Sequence, residues 1–274
     1  MKNVKKTTSN YYNMCGFAVY TGSDKKTRLN IACEFEKLKY RGPDHTQVVE
    51  FSDKGWMGFH RLKIMDITDD GNQPMNYQNI HLVCNGEVYN YKKLYRQYKE
   101  KYNFQSESDC EVIIPMFLEK GIRKTAQELD AEFVFVIYDS DQDKYFAARD
   151  PVGIRPMFYG YTEDGSILFA SEMKALHRVC REVRPFPPGH YYDGEKFVSY
   201  RDIAAISEYT EDSSEDIFRN INHLLTKAVE KRLQSDVPVG FLCSGGLDSS
   251  LVCAIGKRLL DRPIKTFAVG INED

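Results

Sequence analysis

The feature that most constrains this chain is a boundary near residue 208, where one pattern of apolar residues gives way to another. From Cys15 to about Tyr200 the chain reads as short strands with a few helices. Gly16–Tyr20, Trp56–His60, His81–Cys84, Phe133–Asp139, Lys144–Ala148 and Ile167–Ala170 set aromatic and β-branched residues between turn signals, which predicts strands. The turn-rich Asp139–Asp143 predicts a hairpin between two of them. Tyr91–Tyr102 and Glu111–Lys120 predict helices, the second capped by Ser108 or Asp109, kinked at Pro115 and stopped at Gly121. Beyond the boundary, Glu208–Asp216 holds five acids and no base and reads as a solvated linker. Ser213-Ser-Glu-Asp216 is a capping-box pattern, after which Ile217, Ile221, Leu224, Leu225, Ala228 and Leu233 recur at helical spacing. A buried strand Val239–Leu242, a Gly-rich turn, a helix from about Ser249 to Leu260 and a strand Thr266–Val269 follow. That αβαβ order opens a parallel, doubly wound sheet.

Composition narrows the function classes. With 37 Lys plus Arg against 40 Asp plus Glu, the net charge is −3, which excludes a polybasic nucleic-acid binder. The longest apolar runs, such as Phe133–Tyr138, fall far below the ~18 residues of a membrane span. Met1–Asn13 carries three lysines but no apolar core, so it does not read as a secretory signal. The seven cysteines are odd in number, irregularly spaced and without a CxxC pair, which argues against a disulfide framework or a zinc site. A reducing, cytoplasmic setting is expected, with thiols available as nucleophiles.

Two motifs carry chemistry. Ser244-Gly-Gly-Leu-Asp-Ser-Ser250 lies between a predicted strand and a predicted helix. Consecutive backbone N–H groups at a helix N-terminus form an anion site, and Ser244, Ser249 and Ser250 add hydroxyls. Asp248 would repel a phosphate directly but suits the Mg²⁺ that accompanies a polyphosphate. The plain alternative is a helix cap behind a tight glycine turn. In Met14-Cys15-Gly16-Phe17, removal of Met14 would leave Cys15 N-terminal. Its α-amine, with a reference pKa of about 7.7–8.0, would then serve as base for its own thiol, at about 8.5.

Downstream residues suit a glutamine substrate. Arg61 forks onto a carboxylate, Glu87 and Asp109 take an ammonium, and the Asn85 side-chain amide and Gly86 N–H donate to an oxyanion. Singly, each has an ordinary structural alternative: a surface ion pair, an Asn-Gly turn, a helix cap. The order of the set is what is specific.

SGGLDS after a strand is similar to the pyrophosphate loop of the N-type ATP pyrophosphatases. The chain as a whole resembles the B-type glutamine-hydrolysing asparagine synthetases. MCGF, RGPD, HRL, CNGEVYN, SDCEVI, RDPVGIRPMFYG, SEMKAL and CSGGLDSS occur in that family's order from Met14 onward. The resemblance implies an α+β chain: an N-terminal-nucleophile αββα glutaminase sandwich over 15–205, an acidic linker over 206–216, and over 217–274 the incomplete start of an α/β, parallel-sheet PP-loop ATPase domain. Residues 1–14 would be an extension or a processed segment. Carried over by motif, Cys15 is the nucleophile, Asn85 and Gly86 form the oxyanion hole, and Arg61, Leu62, Lys63, Ile64, Met65, Asn85, Gly86, Glu87 and Asp109 bind glutamine. Leu242 and Val269 touch ATP, while Ser244, Gly245, Gly246, Asp248, Ser249 and Ser250 hold its pyrophosphate, with Mg²⁺ at Asp248.

The implied reaction amidates L-aspartate, activated as β-aspartyl-AMP, with ammonia that travels through the interior from L-glutamine. The implied partners are those substrates and ATP, without nucleic acid, membrane or prosthetic group, and a homodimer is the assembly left open. The 274-residue chain alone would support only the glutaminase step. A stand-alone glutaminase and a non-catalytic, partner-binding chain are the alternatives. Relatives that make glucosamine phosphate or phosphoribosylamine share the Cys start but not the Ser244–Ser250 loop, and Cys15 with its glutamine set disfavours a β-lactam-forming relative.

Overall fold

Gly16–Tyr20 is buried along its whole length, on both faces. Phe17 and Val19 enter one apolar cluster, Ala18 and Tyr20 another. A strand covered on both sides needs a layer above and a layer below its sheet, and this requirement sets the architecture.

The computed structural model describes residues 14–270. The expected extension, apart from Met14, lies outside them. The chain forms two units, one up to Ala205 and one from Ile206 onward. In chain order the first unit runs β1 (Gly16–Tyr20), α1 (Lys25–Phe35), β2 (His45–Glu50), β3 (Trp56–Arg61), β4 (Met75–Tyr77), β5 (Ile80–Val88), α2 (Tyr91–Tyr98) and α3 (Ile113–Glu128). It continues with β6 (Ala131–Asp139), β7 (Lys144–Arg149), β8 (Phe158–Tyr161), β9 (Ile167–Ala170), β10 (Val183–Pro185), β11 (His190–Tyr192) and β12 (Phe197–Ser199). Two antiparallel six-stranded sheets result, ordered β10-β8-β9-β1-β3-β2 and β12-β11-β7-β6-β5-β4. Phe17, Val19, Met57 and Phe59 of the first meet Val83, Val134 and Val136 of the second. Phe35 and Ile31 of α1 cover the first sheet's outer face. Leu94 and Tyr98 of α2, with Ile113, Met116 and Phe117 of α3, cover Phe133, Phe135 and Ile137 of the second. The layers are α-β-β-α, as the resemblance implied, and β6–β7 is the expected hairpin.

Several local expectations change. The strand expected over His81–Cys84 continues to Val88, because Asn85, Gly86 and Glu87 stay paired with Val134, Phe133 and Glu132. Helix α1 was not anticipated: few of its residues are apolar, and its N-terminus rests on Asp24, whose carboxylate accepts from Thr27 N at 2.7 Å. Helix α2 ends at Tyr98 rather than Tyr102. Ser108 caps the 3-10 turn Asp109–Val112 that precedes α3. The kink in α3 is at Gly121, with φ 70° and ψ 172°, and helix resumes beyond it instead of stopping. Pro115 sits in the first turn of α3, where its missing N–H would have had no intrahelical acceptor, so it causes no break there.

In the second unit, α4 (Ser214–Arg232) starts at Ser213, whose hydroxyl accepts from Asp216 N. Strand β13 (Gly240–Leu242) pairs in parallel with β14 (Lys265–Phe267), and α5 (Leu247–Leu259) connects them. Of the strands here, Val239–Leu242 is the one that the sequence reads as buried. Only its Phe241 is, packed under Gly256 of α5, whereas Leu242 is 78% exposed and Val269, beyond the end of β14, is 95% exposed. A sheet of two strands has too little covering layer to bury both faces.

Phe35 makes an edge contact with Trp56, centroids 5.2 Å apart, and stacks on His60 at 3.8 Å. Trp56 is the chain's single tryptophan. Phe35→Ala is expected to cost about 3–5 kcal/mol. Denaturant unfolding followed by Trp56 fluorescence should show a lower midpoint with little change in slope.

Candidate active site

The antiparallel register of β1 against β3 pairs Gly16 with His60, which brings Cys15 to the end of β3, beside Arg61 and Leu62. Leu62 N donates to Cys15 Sγ at 3.3 Å, and the thiol lies 3.6 Å from Leu62 O. Arg41, from the Arg41-Gly-Pro-Asp44 turn, donates its Nε to Cys15 O at 3.0 Å and pairs with Glu172 at 2.8 Å. The residue that leads into β1 is thus clamped from two sides. Burial pushes the Cys15 thiol up to about 11, against the opposing effects of the Leu62 amide and of Arg155 and Arg61.

Arg61 does not present the expected free fork. Its Nη1 donates to Thr68 O at 2.7 Å and Asn72 Oδ1 at 2.9 Å, and its Nη2 to Met65 O at 3.1 Å and to Asp66 O. The four terminal N–H groups therefore gather the loop 65–72 around one buried cation. Glycine is required at 71 for this closure, since a Cβ there would fall 2.3 Å from Arg61 Nη2. Leu62, Ile64 and Met65 line the resulting cleft. Lys63 is not among its lining residues: its ammonium pairs with Asp69 at 2.9 Å and its N–H bonds to Asp44.

The opposite wall is β5. Pairing with β4 reaches Leu82; at Cys84, the Gln73 side chain takes over, accepting from Cys84 N at 2.6 Å and donating to Cys84 O at 3.1 Å. Just past this point Asn85, Gly86 and Glu87 line the cleft. Asn85 is buried and its Nδ2 has no partner among the described residues. Asp109, also buried, accepts from Val88 N at 2.6 Å. Desolvation raises its carboxyl to about 6, with the Val88 N–H opposing and Glu87 adding to the rise. Glu87 pairs with Arg155 at 3.3 Å, and Arg155 with Glu132 at 2.7 Å.

The cleft thus gathers Cys15, Arg61, Leu62, Ile64, Met65, Asn85, Gly86, Glu87 and Asp109. Sequence reading assigned no role to Gln73, Cys110, Arg41 or Arg155. Arg41 and Arg155 do lie inside the quoted RGPD and RDPVGIRPMFYG stretches, so a signal was present without a function attached. His60 points elsewhere: it is fully buried between Thr46 Oγ1, at 2.7 Å, and Phe35 O, at 3.1 Å.

In the second unit the Ser244–Ser250 loop joins the carboxyl end of β13 to the N-terminus of α5. Gly245 has φ 84°, a conformation that favours glycine, and Gly246 is the helix N-cap. Ser249 Oγ accepts from Ser244 N at 3.2 Å and lies 3.0 Å from Ser244 Oγ, while Asp248 occupies the first helical turn. Leu242 ends β13, and Val269 follows β14 by two residues. Among the described residues, no group of three His, Cys, Asp or Glu side chains is placed to hold a metal ion.

Solved structures share the fold. Glutamine phosphoribosylpyrophosphate amidotransferase from B. subtilis aligns with TM-score 0.58 over 93% of this chain and 65% of that one, at 18% identity. An allosteric regulatory enzyme of purine biosynthesis aligns at 0.57 and 20% identity, over 93% and 64%. The probable glutamine-hydrolysing asparagine synthetase of Acanthamoeba polyphaga mimivirus is 41% identical over 94% of this chain and 52% of its own length. Asparagine synthetase B of Escherichia coli is 40% identical over 85% and 43%. The chain spans about half the length of the curated relatives it matches. Residues 220–274 match the asparagine synthase family. Residues 14–231 match the glutamine amidotransferase domain, and the chain belongs to that family.

Proposed function

We propose that the cleft hydrolyses the side-chain amide of L-glutamine, with Cys15 as nucleophile, and that the ammonia released serves asparagine synthesis. The observation that carries this reading is the buried Asn85 amide. Its Nδ2 has no partner in a cleft that also holds a thiol and two carboxylates. An unpaired buried donor costs about 1–3 kcal/mol unless something accepts from it, and an oxyanion is a suitable acceptor.

In this reading, Glu87 and Asp109 receive the substrate ammonium. The α-carboxylate lies against the Arg61–Met65 segment, attracted by a cation whose N–H groups the loop holds. The thiolate of Cys15 attacks the carboxamide carbon, and negative charge collects on the oxygen facing Asn85 Nδ2 and the Gly86 N–H. Collapse expels ammonia and leaves a thioester, which water hydrolyses to glutamate. A thiol pushed to about 11 needs a base close by. No histidine is among the described residues lining the cleft, Glu87 is held by Arg155, and Asp109 is held by Val88 N. The α-amine of Cys15, freed from Met14, fits that role: it takes the thiol proton and returns it to the leaving nitrogen.

ATP is the proposed cosubstrate of the second unit. The φ of Gly245 and the open space around its Cα leave the loop backbone accessible to pyrophosphate, with Asp248 beside it for Mg²⁺. ATP supplies the adenylate that activates L-aspartate. Among the described residues no helix is long and apolar enough to cross a membrane, and seven free thiols suit a reducing cytoplasmic setting.

Two tests follow. Glutamine, aspartate and Mg-ATP supplied to the polypeptide freed of residues 1–14, so that it begins at Cys15, should give glutamate without AMP, because only two strands support the phosphate loop and a doubly wound site draws on more. Cys15→Ala should abolish glutamate release and the exposed Cys33→Ala should not. Glutamate from Cys15→Ala would end the assignment, and AMP with asparagine in equal amounts would show the second unit to be sufficient. The second test concerns Asp109. Its raised folded-state value means that the carboxylate charge is lost as pH falls through about 6. The KM for glutamine should therefore climb below pH 6, whereas Asp109→Asn should show a KM higher by about 10–100-fold at pH 7 with no such climb.

A further inference from the structure

Arg155 joins elements that the amide chemistry must keep in register. It follows β7 in a loop, and Arg149, at the end of β7, holds that loop by donating to Arg155 O at 2.8 Å and to Gly153 O at 2.8 Å. Asp150 adds to this grip, accepting from Val152, Gly153, Ile154 and Arg155 N–H groups at 2.6–3.2 Å. The Arg155 backbone therefore has little freedom. Its side chain is nearly buried, with Nη2 shared between Glu132 of β6 and Glu87 of β5 and Nη1 2.8 Å from Met14 Sδ, next to Cys15. Its Nε is buried without a partner among the described residues. Three such contacts on one exposed-type side chain exceed what an ordinary surface ion pair needs.

We propose that Arg155 is a positioning residue of the site: it fixes the Glu87 carboxylate for the substrate ammonium and holds a cation against Cys15. This rests on the amide-hydrolysis reading and deepens it. The titratable and charged groups facing Arg155 are Glu132, Glu87, Tyr89 and Cys15, and those that share the cleft with Cys15 are Arg155, Arg61, Cys84, Cys110, Glu87 and Asp109. The guanidinium acts on Cys15 and opposes the rise that burial imposes on its thiol. A cation so placed favours the thiolate over the thiol, and a neutral amine over an ammonium at the same residue. One side chain thus favours the reactive form of both nucleophile and base while keeping an anion ready for the substrate.

The test uses thiol alkylation, which does not depend on any substrate. The 274-residue chain is treated with iodoacetamide at pH 8, and modification of Cys15 is followed by peptide mass spectrometry, with exposed Cys33 as internal reference. Arg155→Gln should slow Cys15 alkylation about tenfold, the effect of roughly one unit of thiol shift, and leave Cys33 unchanged. Arg155→Lys should restore most of the rate. Glu132→Gln should do the opposite and speed Cys15, because it leaves the guanidinium less neutralised. A purely structural role would loosen the cleft and speed alkylation in both glutamine variants. An Arg155→Gln rate equal to or above wild type overturns the proposal. If that variant fails to fold, a Glu132→Gln rate at or below wild type overturns it instead. Glutamine kinetics form a separate arm. Wild-type protein that begins at Cys15 and releases no glutamate defeats the amide-hydrolysis reading, and the alkylation rates still report on the cation. In active protein, Arg155→Gln should raise KM for glutamine about tenfold and move the acid limb of kcat to higher pH, with partial rescue by Arg155→Lys.

Discussion

The pairing of β1 with β3 is the constraint on which the rest of the site depends. Because β1 is buried on both faces, its register cannot slip by one residue without exchanging Phe17 and Val19 for Ala18 and Tyr20 in two different cores. With that register held, Cys15 must emerge opposite the end of β3, where Arg61 turns the chain into the loop that roofs the cleft. The strong hydrophobic packing of a four-layer core thus positions a single thiol, and Arg41 clamps its carbonyl from the neighbouring turn.

Charge in the cleft is organised by the same logic of assigned partners. Arg61 is engaged by loop carbonyls, Glu87 by Arg155, and Asp109 by the Val88 amide. Each ion is thus desolvated with a partner, which keeps the burial affordable and the geometry defined. Asn85 is the exception. Its amide sits at the point where Gln73 has closed off the strand edge, and no neighbour accepts from it. An uncommitted donor among committed charges marks where charge would develop during reaction.

Much of this was legible in the residues. The strand Gly16–Tyr20, the Asp139–Asp143 hairpin, the Ser213 cap and the strand–loop–helix around Ser244 all follow from local patterns, and the motif order located Cys15, Asn85, Gly86, Glu87 and Asp109. The rest depends on tertiary partners. Asn85–Glu87 reads as a turn until β6 supplies its ladder. Arg61 reads as a free clamp until Gly71 lets the loop close on it. Lys63 sits beside a site residue in sequence, yet its side chain leaves the cleft for Asp69. Arg155 is far from Cys15 in sequence, and only the layered packing brings them together. Helix α1 escaped notice because its few apolar residues made too weak a stripe.

The central claim is that Cys15 works as its own base. The buried thiol is pushed to about 11, and among the described residues of the cleft no other free base stands beside it. An amide nitrogen cannot serve as that base, so the proposed mechanism requires the bond between Met14 and Cys15 to be absent in the working protein. The direct measurement is the intact mass and N-terminal sequence of the fraction that releases ammonia from glutamine. The account predicts that this fraction begins at Cys15. Full glutaminase activity in protein that retains Met14, or any residue before it, would contradict the account.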